Sequence, residues 1–409
     1  MTLQSRRWPS RRFWGGVTAL GLASTLIGLA VPTQAEELLD APTVDPVQVL
    51  EPLDCILTAA ASNPAVRLGY DADFGEDRQA LLQAIDHSLS YLNSEKAAED
   101  YAEVEVPAFS RDRVRRSLVR FRQLVAQSHS AAELQTAVAA EFAFYRSVGN
   151  DGEGTVAFTG YFEPTYAASR VRTDEYRYPL YAEPADLDSW AEPHPTRAEL
   201  EGTDGLQGVD GPLQGLELVW LRDRLEAFLV QVQGSARLQM TDGSIVSVGY
   251  AGRTNYDYTS IGRALIDDGI VAEADLSLPV LLDYFQENPI ALDEYLPRND
   301  RFVFFKVTDG GPPTGNLSVP VTAGRSIATD KSIMPPGALA IIALEMPERD
   351  VTGEWGTVPM SRYVLDQDTG GAIRGAGRVD IFVGTGTAAG EQAGLINTTG
   401  ELYYLLLRE

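Results

Sequence analysis

The chain has 409 residues, 44% of them hydrophobic, which is enough to core two domains. Its formal net charge of −25 makes a field that repels phosphate backbones and argues against nucleic acid as a partner. His87, His129 and His194 stand too far apart to pair as metal ligands, and no Walker loop, dinucleotide fingerprint or Gly-x-Ser-x-Gly elbow occurs. No metal or other cofactor is therefore expected, and carboxylate chemistry is what remains.

Residues 1–35 read as an export signal. Arg6, Arg7, Arg11 and Arg12 precede an apolar run from Gly15 to Val31, and Thr33-Gln-Ala35 fits a small-x-small cleavage site. The competing reading is an uncleaved anchor, for which 17 residues is a marginal span. Cleavage removes four arginines and no acids, taking the charge from −25 to −29. Residues 36–75 read as a tether, rich in Pro, Glu and Asp at its start. The single cysteine, Cys55, cannot form an internal disulfide and is expected to be a small core residue.

Helices follow. Leu81, Leu82, Ile85, Leu89 and Leu92 share one face, and Val114, Leu118, Phe121 and Val125 share another, with Ser110 as N-cap. Ser130-Ala-Ala-Glu133 is a capping box opening a third helix, which the tract Ala137 to Phe144 continues. Strand patterns then take over at Val156–Tyr161, Leu216–Leu221 and Phe228–Gln233, and Asp242-Gly243 marks a two-residue hairpin between Arg237–Met240 and Ile245–Val248. Two helices, Ser260–Asp268 and Pro279–Glu287, interrupt. From Arg301 the pattern is β again: Phe302–Val307, Leu339–Leu344, Tyr363–Asp366, Val379–Val383 and Leu402–Leu407. Short strands with Gly- and Pro-rich connections point to a barrel rather than a parallel sheet.

The most pointed chemistry lies near the C-terminus. Val364-Leu-Asp-Gln-Asp368 runs into Thr-Gly370-Gly371-Ala-Ile-Arg-Gly375, and Arg378-Val-Asp380-Ile-Phe-Val-Gly384 follows. Glycines allow a close backbone approach to a ligand, and a carboxyl flanked by Val379, Ile381 and Phe382 can be partly desolvated, which raises its pKa toward that of a working general acid. Two solvated aspartates on a turn are the alternative.

Asp330, Asp368 and Asp380 together resemble the three-aspartate domain of cell-wall enzymes. Upstream, Thr159-Gly-Tyr-Phe-Glu-Pro164, Leu218-Val-Trp-Leu221, Phe228-Leu-Val-Gln-Val-Gln-Gly-Ser-Ala-Arg237, Val248-Gly-Tyr-Ala-Gly252 and Ser260-Ile-Gly-Arg263 come in the order of the membrane-bound lytic murein transglycosylase A family. The resemblance runs from about Thr155 to Leu407. It implies a mainly β protein with an α-helical N-terminal region: a double-psi β-barrel (76–164 plus 299–409, the three-aspartate part at 317–384) with a second β-rich, substrate-binding domain inserted at 165–298 and a groove between them.

The resemblance further implies a lytic transglycosylase that cuts the β-1,4 bond between N-acetylmuramic acid and N-acetylglucosamine without water and leaves 1,6-anhydro ends. Asp380 would act as acid and then base. Asp368 would support it, either by raising its pKa or by fixing the Gly-rich turn, and Asp330 would be structural or groove-lining. Tyr161, Glu163, Gln233, Gly234, Ser235, Gly370 and Gly371 are the candidate sugar contacts. Trp220 is a core residue or a sugar platform, and Tyr250, Arg253 and Tyr256 are weaker candidates. The alternatives are a β-1,4-glycan hydrolase on the same fold and a non-catalytic wall-binding protein. The expected partners are peptidoglycan glycan strands, with other cell-wall enzymes as further candidates, and the expected place is the periplasm or cell envelope, with the outer membrane as a candidate association. Family members carry a lipidated cysteine directly after the signal. Cys55 lies about twenty residues beyond the cut, so no lipid anchor is expected.

Overall fold

The computed structural model describes residues 49–53, 67–103 and 106–409. The leader, most of the tether and Cys55 lie outside the described residues. The N-terminal helices are Phe74–Leu92, Glu95–Glu103, Arg111–Gln127 and Ala131–Glu141. The hydroxyls of Ser110 and Ser130 accept from the backbone N–H groups of Arg113 and Glu133, so one of the four free donors at each helix start is satisfied by a local side chain. Leu81, Ile85, Leu92, Leu118, Phe121 and Val125 are fully buried at helical spacing. They pack onto the β-structure: the Phe121 ring lies 5.0 Å from Tyr363 and 6.2 Å from Phe142. Arg325, wholly buried, ties the same layers together through Asp71 and Asp77.

The helix expected to continue to Phe144 stops at Glu141, and Phe142–Ser147 is a strand instead. Phe142 and Phe144 alternate inward there, and pairing on both edges outweighs the helical propensity of the preceding alanines.

In chain order the strands are β1 (Leu50–Leu53), β2 (Phe142–Ser147), β3 (Val156–Glu163), β4 (Thr165–Ser169), β5 (Tyr178–Tyr181), β6 (Glu217–Leu221), β7 (Ser235–Met240), β8 (Ile245–Arg253), β9 (Val303–Thr308), β10 (Ser326–Ala328), β11 (Leu339–Arg349), β12 (Trp355–Asp368), β13 (Arg378–Thr385) and β14 (Asn397–Leu407). Six of them close on themselves in the order β3-β14-β11-β12-β10-β13, and β13 pairs with β3 to complete the ring. β2 and β1 extend from β14 as a flap. The core of this barrel is Val156, Phe158, Ile341, Leu365, Val379, Ile381 and Leu402, all buried.

The second sheet has the order β5-β6-β4-β7-β8-β9, and a bridge between Ala182 and Phe305 brings its two ends together. The hairpin around Asp242-Gly243 is present, closed by a bond from Met240 N–H to the Ser244 carbonyl rather than by a two-residue turn. Phe228–Gln233, expected as a strand, belongs to the helix Arg224–Gln233. The Asp223 carboxylate caps it by accepting from Leu225 and Glu226 N–H, and Gly234 ends it in the left-handed region at φ 77°. Six mostly apolar residues fit either period, and these two flanking signals decide between them. Among the described residues no helix is long and apolar enough to cross a membrane.

Candidate active site

The barrel places Asp380 and Asp368 on either side of one short strand. Ala328 of β10 is in register with Asp368 on β12 and with Asp380 on β13, so two interstrand spacings, about 10 Å, separate the two backbones. Strand periodicity puts Arg378 and Asp380 on one face of β13 while Val379 and Ile381 enter the core. On the other side of β13, Thr159 of β3 is in register with Asp380.

Thr159 Oγ1 donates to Asp380 Oδ1 at 2.8 Å and accepts from Arg378 Nη2 at 3.1 Å. The Asp380 carboxyl is half-buried, and its pKa is pushed up to about 6, first by desolvation. Arg378 and the Thr159 hydroxyl pull it back, and the neighbouring Asp368 charge raises it again. This is the environment of a carboxyl that holds a proton in weak acid and releases it near neutrality.

Asp368 has a different setting. Its Oδ1 accepts from the backbone N–H groups of Asn316 at 2.8 Å and Thr369 at 2.9 Å, and its Oδ2 accepts from the Tyr161 hydroxyl at 2.8 Å. Burial raises its pKa, and these three donors together with Lys331 oppose the rise. Asp368 thus pins the start of the Gly-rich turn, and its charge, when it ionises, raises the Asp380 carboxyl. The Tyr161 ring lies 5.2 Å from Phe382, which fixes the hydroxyl's aim.

Asp330 pins the other end of that turn. Its Oδ2 accepts from Gly375 N–H at 2.9 Å, and its Oδ1 accepts from the Ser332 hydroxyl at 2.6 Å. Beneath the pair lies Asp366, 0% exposed, an acid that the motif contains but pattern reasoning passed over. It is paired with Lys331 and accepts from Thr329 Oγ1 at 2.8 Å and from Tyr404 Oη at 2.6 Å. Two-residue spacing along β12 sends Asp366 and Asp368 to the same face and Gln367 to the other, where it binds Ser88 Oγ at 2.9 Å and Ala84 O. Thr159, Arg378, Lys331, Asp366 and Tyr404 were all missed as site residues; Asp366 and Arg378 had a local signal, their two-residue spacing from Asp368 and Asp380.

Of the expected sugar contacts, Tyr161 reaches Asp368 and so belongs to the site. Glu163 is 1% exposed, accepts from Thr385 Oγ1 at 2.8 Å and pairs with Arg237 Nε at 3.4 Å. Its contacts are those of a buried junction between β3, β7 and β13 rather than of a surface open to ligand. Gln233 Oε1 accepts from Phe162 N–H at 3.0 Å, tying the helix end to β3. Gly234 has open space where a Cβ would stand, and Ser235 is nearly buried beside it. At Gly371 a Cβ would run into the Arg301 guanidinium, the end of a long side chain that would have to move to admit it, and Gly370 lies against Ile373. Trp220 is buried on β6. Among the described residues no group of three or more His, Cys, Asp or Glu side chains converges as metal ligands.

Comparison with known proteins agrees with this architecture. Residues 157–306 match the model of the MltA specific insert domain, and residues 325–406 match that of the 3D domain. The chain is 34% identical over 260 residues to proteins named membrane-bound lytic murein transglycosylase A from Vibrio cholerae and from Escherichia coli K12, covering 63% of this chain and 67% of each. Among solved structures, a membrane-bound lytic murein transglycosylase from Agrobacterium tumefaciens superimposes with a TM-score of 0.65 at 26% identity, over 83% of this chain and 95% of that one. E. coli MltA with bound chitohexaose gives 0.66 at 25% identity, over 90% and 97%.

Proposed function

This chain belongs to the membrane-bound lytic murein transglycosylase A family, and from that membership and the geometry of the carboxyl pair we propose that it is a lytic transglycosylase of peptidoglycan. The observation that carries the reading is a half-buried Asp380 with a pKa near 6, hydrogen-bonded by Thr159 and faced by Asp368. Protonated Asp380 donates to the glycosidic oxygen between N-acetylmuramic acid and N-acetylglucosamine. Positive charge develops at C1 and is stabilised by the sugar's 2-acetamido group or by site dipoles. The Asp380 carboxylate then takes the proton from the muramic 6-hydroxyl, whose oxygen closes on C1 to give the 1,6-anhydro ring. The carboxyl ends as it began, and no water enters.

A hydrolase on this frame would need a second carboxylate to act as nucleophile or to activate water. Asp368 is engaged by three donors that fix its orientation, which supports the one-carboxyl cycle. We read residues 165–298 as an inserted domain that contributes the Gln233–Ser235 helix end to a glycan groove, and residues 1–35 as an export signal delivering the enzyme to the cell envelope.

The test is mass spectrometry of products from purified peptidoglycan. Muropeptides lighter by one water than the hydrolytic products are expected from the wild type and none from Asp380→Asn. Reducing muramic ends as the main product would overturn the reading.

A further inference from the structure

Beside the Gly-rich turn stands a cluster of positive charge that the acid–base cycle does not use. Arg301 is 5% exposed, and its guanidinium occupies the space above Gly371. Its Nε donates to the Tyr256 carbonyl at 2.8 Å, and Arg253 Nη1 donates to that same carbonyl at 3.1 Å, so two guanidiniums from different strand ends converge on one oxygen. Three residues after Gly371, Arg374 projects with its side chain 58% exposed and its Nη1 4.0 Å from Asp330. The Nη2 of Arg301 is buried and has no hydrogen-bond partner, and its nearest carboxylate, the fully exposed Asp257, stands at 3.9 Å, beyond hydrogen-bond reach.

Burying a guanidinium with an unused donor beside two like charges is costly unless an anion completes it. Arg301 is pushed down to about 10 by burial and then by Arg253, with Asp257 opposing the shift and Arg374 adding to it. In a chain of net charge −25, three arginines gathered against the catalytic turn are not a product of composition. Tyr250, 46% exposed and facing Arg253, gives the cluster an aromatic wall.

We propose that Arg301, Arg253 and Arg374 form a carboxylate-binding subsite that takes an acidic substituent of the muramic residue while the neighbouring glycosidic bond lies at Asp380. The inference rests on the transglycosylase reading. The carboxylate has two sources: the lactyl group of muramic acid in strands stripped of peptide, or an acidic residue of the attached peptide. Arg301 supplies the buried fork, and Arg374 supplies an exposed second clamp from the turn that carries Asp368 at its start.

Binding is measured by calorimetry in an Asp380→Asn background, so that strands are not consumed. Three ligands are compared: chitohexaose, which has no carboxylate, peptide-free glycan strands, and peptide-bearing strands. Arg374→Gln, at an exposed position, and Arg301→Lys, which keeps charge but loses the fork, are each expected to weaken the strands that carry the recognised carboxylate about tenfold and chitohexaose less than twofold. Loss on peptide-free strands alone assigns the lactyl carboxylate, loss on peptide-bearing strands alone assigns an acidic residue of the peptide, and loss on both shows that the subsite takes either carboxylate. Equal loss on all three ligands, or no loss on any, overturns the proposal. Failure of the transglycosylase reading would show separately, as wild-type products that lack 1,6-anhydro ends.

Discussion

Asp380→Asn should silence the enzyme and at the same time stabilise it, by an amount that depends on pH. The carboxyl stands at 3.8 when free and at about 6 in the fold. A raised folded pKa means that the fold holds the proton more tightly than the open chain. The favourable contribution is therefore complete below about pH 4 and is lost as pH rises through about 6. A difference of roughly two pKa units at 1.36 kcal/mol each gives a loss of about 3 kcal/mol in the wild type by about pH 8. Asparagine mimics the neutral acid: its Oδ1 still accepts from Thr159, and it never ionises. The two proteins should have nearly equal urea-unfolding free energies at about pH 4, and the variant should lead by about 1–3 kcal/mol at about pH 8. Turnover, followed as release of anhydromuropeptides, should fall to background in the variant at both values. A stability difference that is absent at the higher pH, or the same at both, would refute the claim that burial holds Asp380 protonated. Retained turnover would remove it from the chemistry.

Because the acid must start protonated, wild-type turnover should decline as pH rises through about 6, whereas a rate flat from roughly pH 4 to 9 would contradict that starting state. Tyr161→Phe keeps the ring against Phe382 but deletes the donor to Asp368; a hydrogen bond to a charged group is worth about 1.5–3 kcal/mol, so kcat should fall about tenfold or more. Loss of that donor pushes the Asp368 carboxyl further up, so it bears less charge against Asp380 and the alkaline shoulder of the pH profile should move down. Lys331→Met strands the fully buried Asp366 without its cation and should cost about 3–5 kcal/mol in urea unfolding, with circular dichroism confirming the fold at low denaturant. EDTA should leave turnover unchanged, because the described residues gather no ligand set for a metal.

Local chemistry made much of this protein readable from its residues, and distance concealed the rest. Ser110 and Ser130 announce helices because a cap works within one turn. Asp368 and Asp380 stand out because an acid beside a Gly-rich turn or in an apolar strand is conspicuous in a short window. Thr159 was invisible in the same way that Lys331 and Tyr404 were: each matters through a partner that only the folded chain brings near. The setting of Glu163 was hidden for the same reason, since its cation, Arg237, lies 74 residues on. The helix Arg224–Gln233 was misread because a short apolar run has no period of its own, although Asp223 and Gly234 were there to arbitrate.

The six-strand ring has a consequence for when the site comes into being. Thr159 meets Asp380 across 221 residues and Tyr161 meets Asp368 across 207, and β3, which carries both, is held on its other edge by β14. Non-local pairing of this kind is slow to form, so the two carboxyls gain their partners only as the ring closes, late in folding rather than with the first local structure.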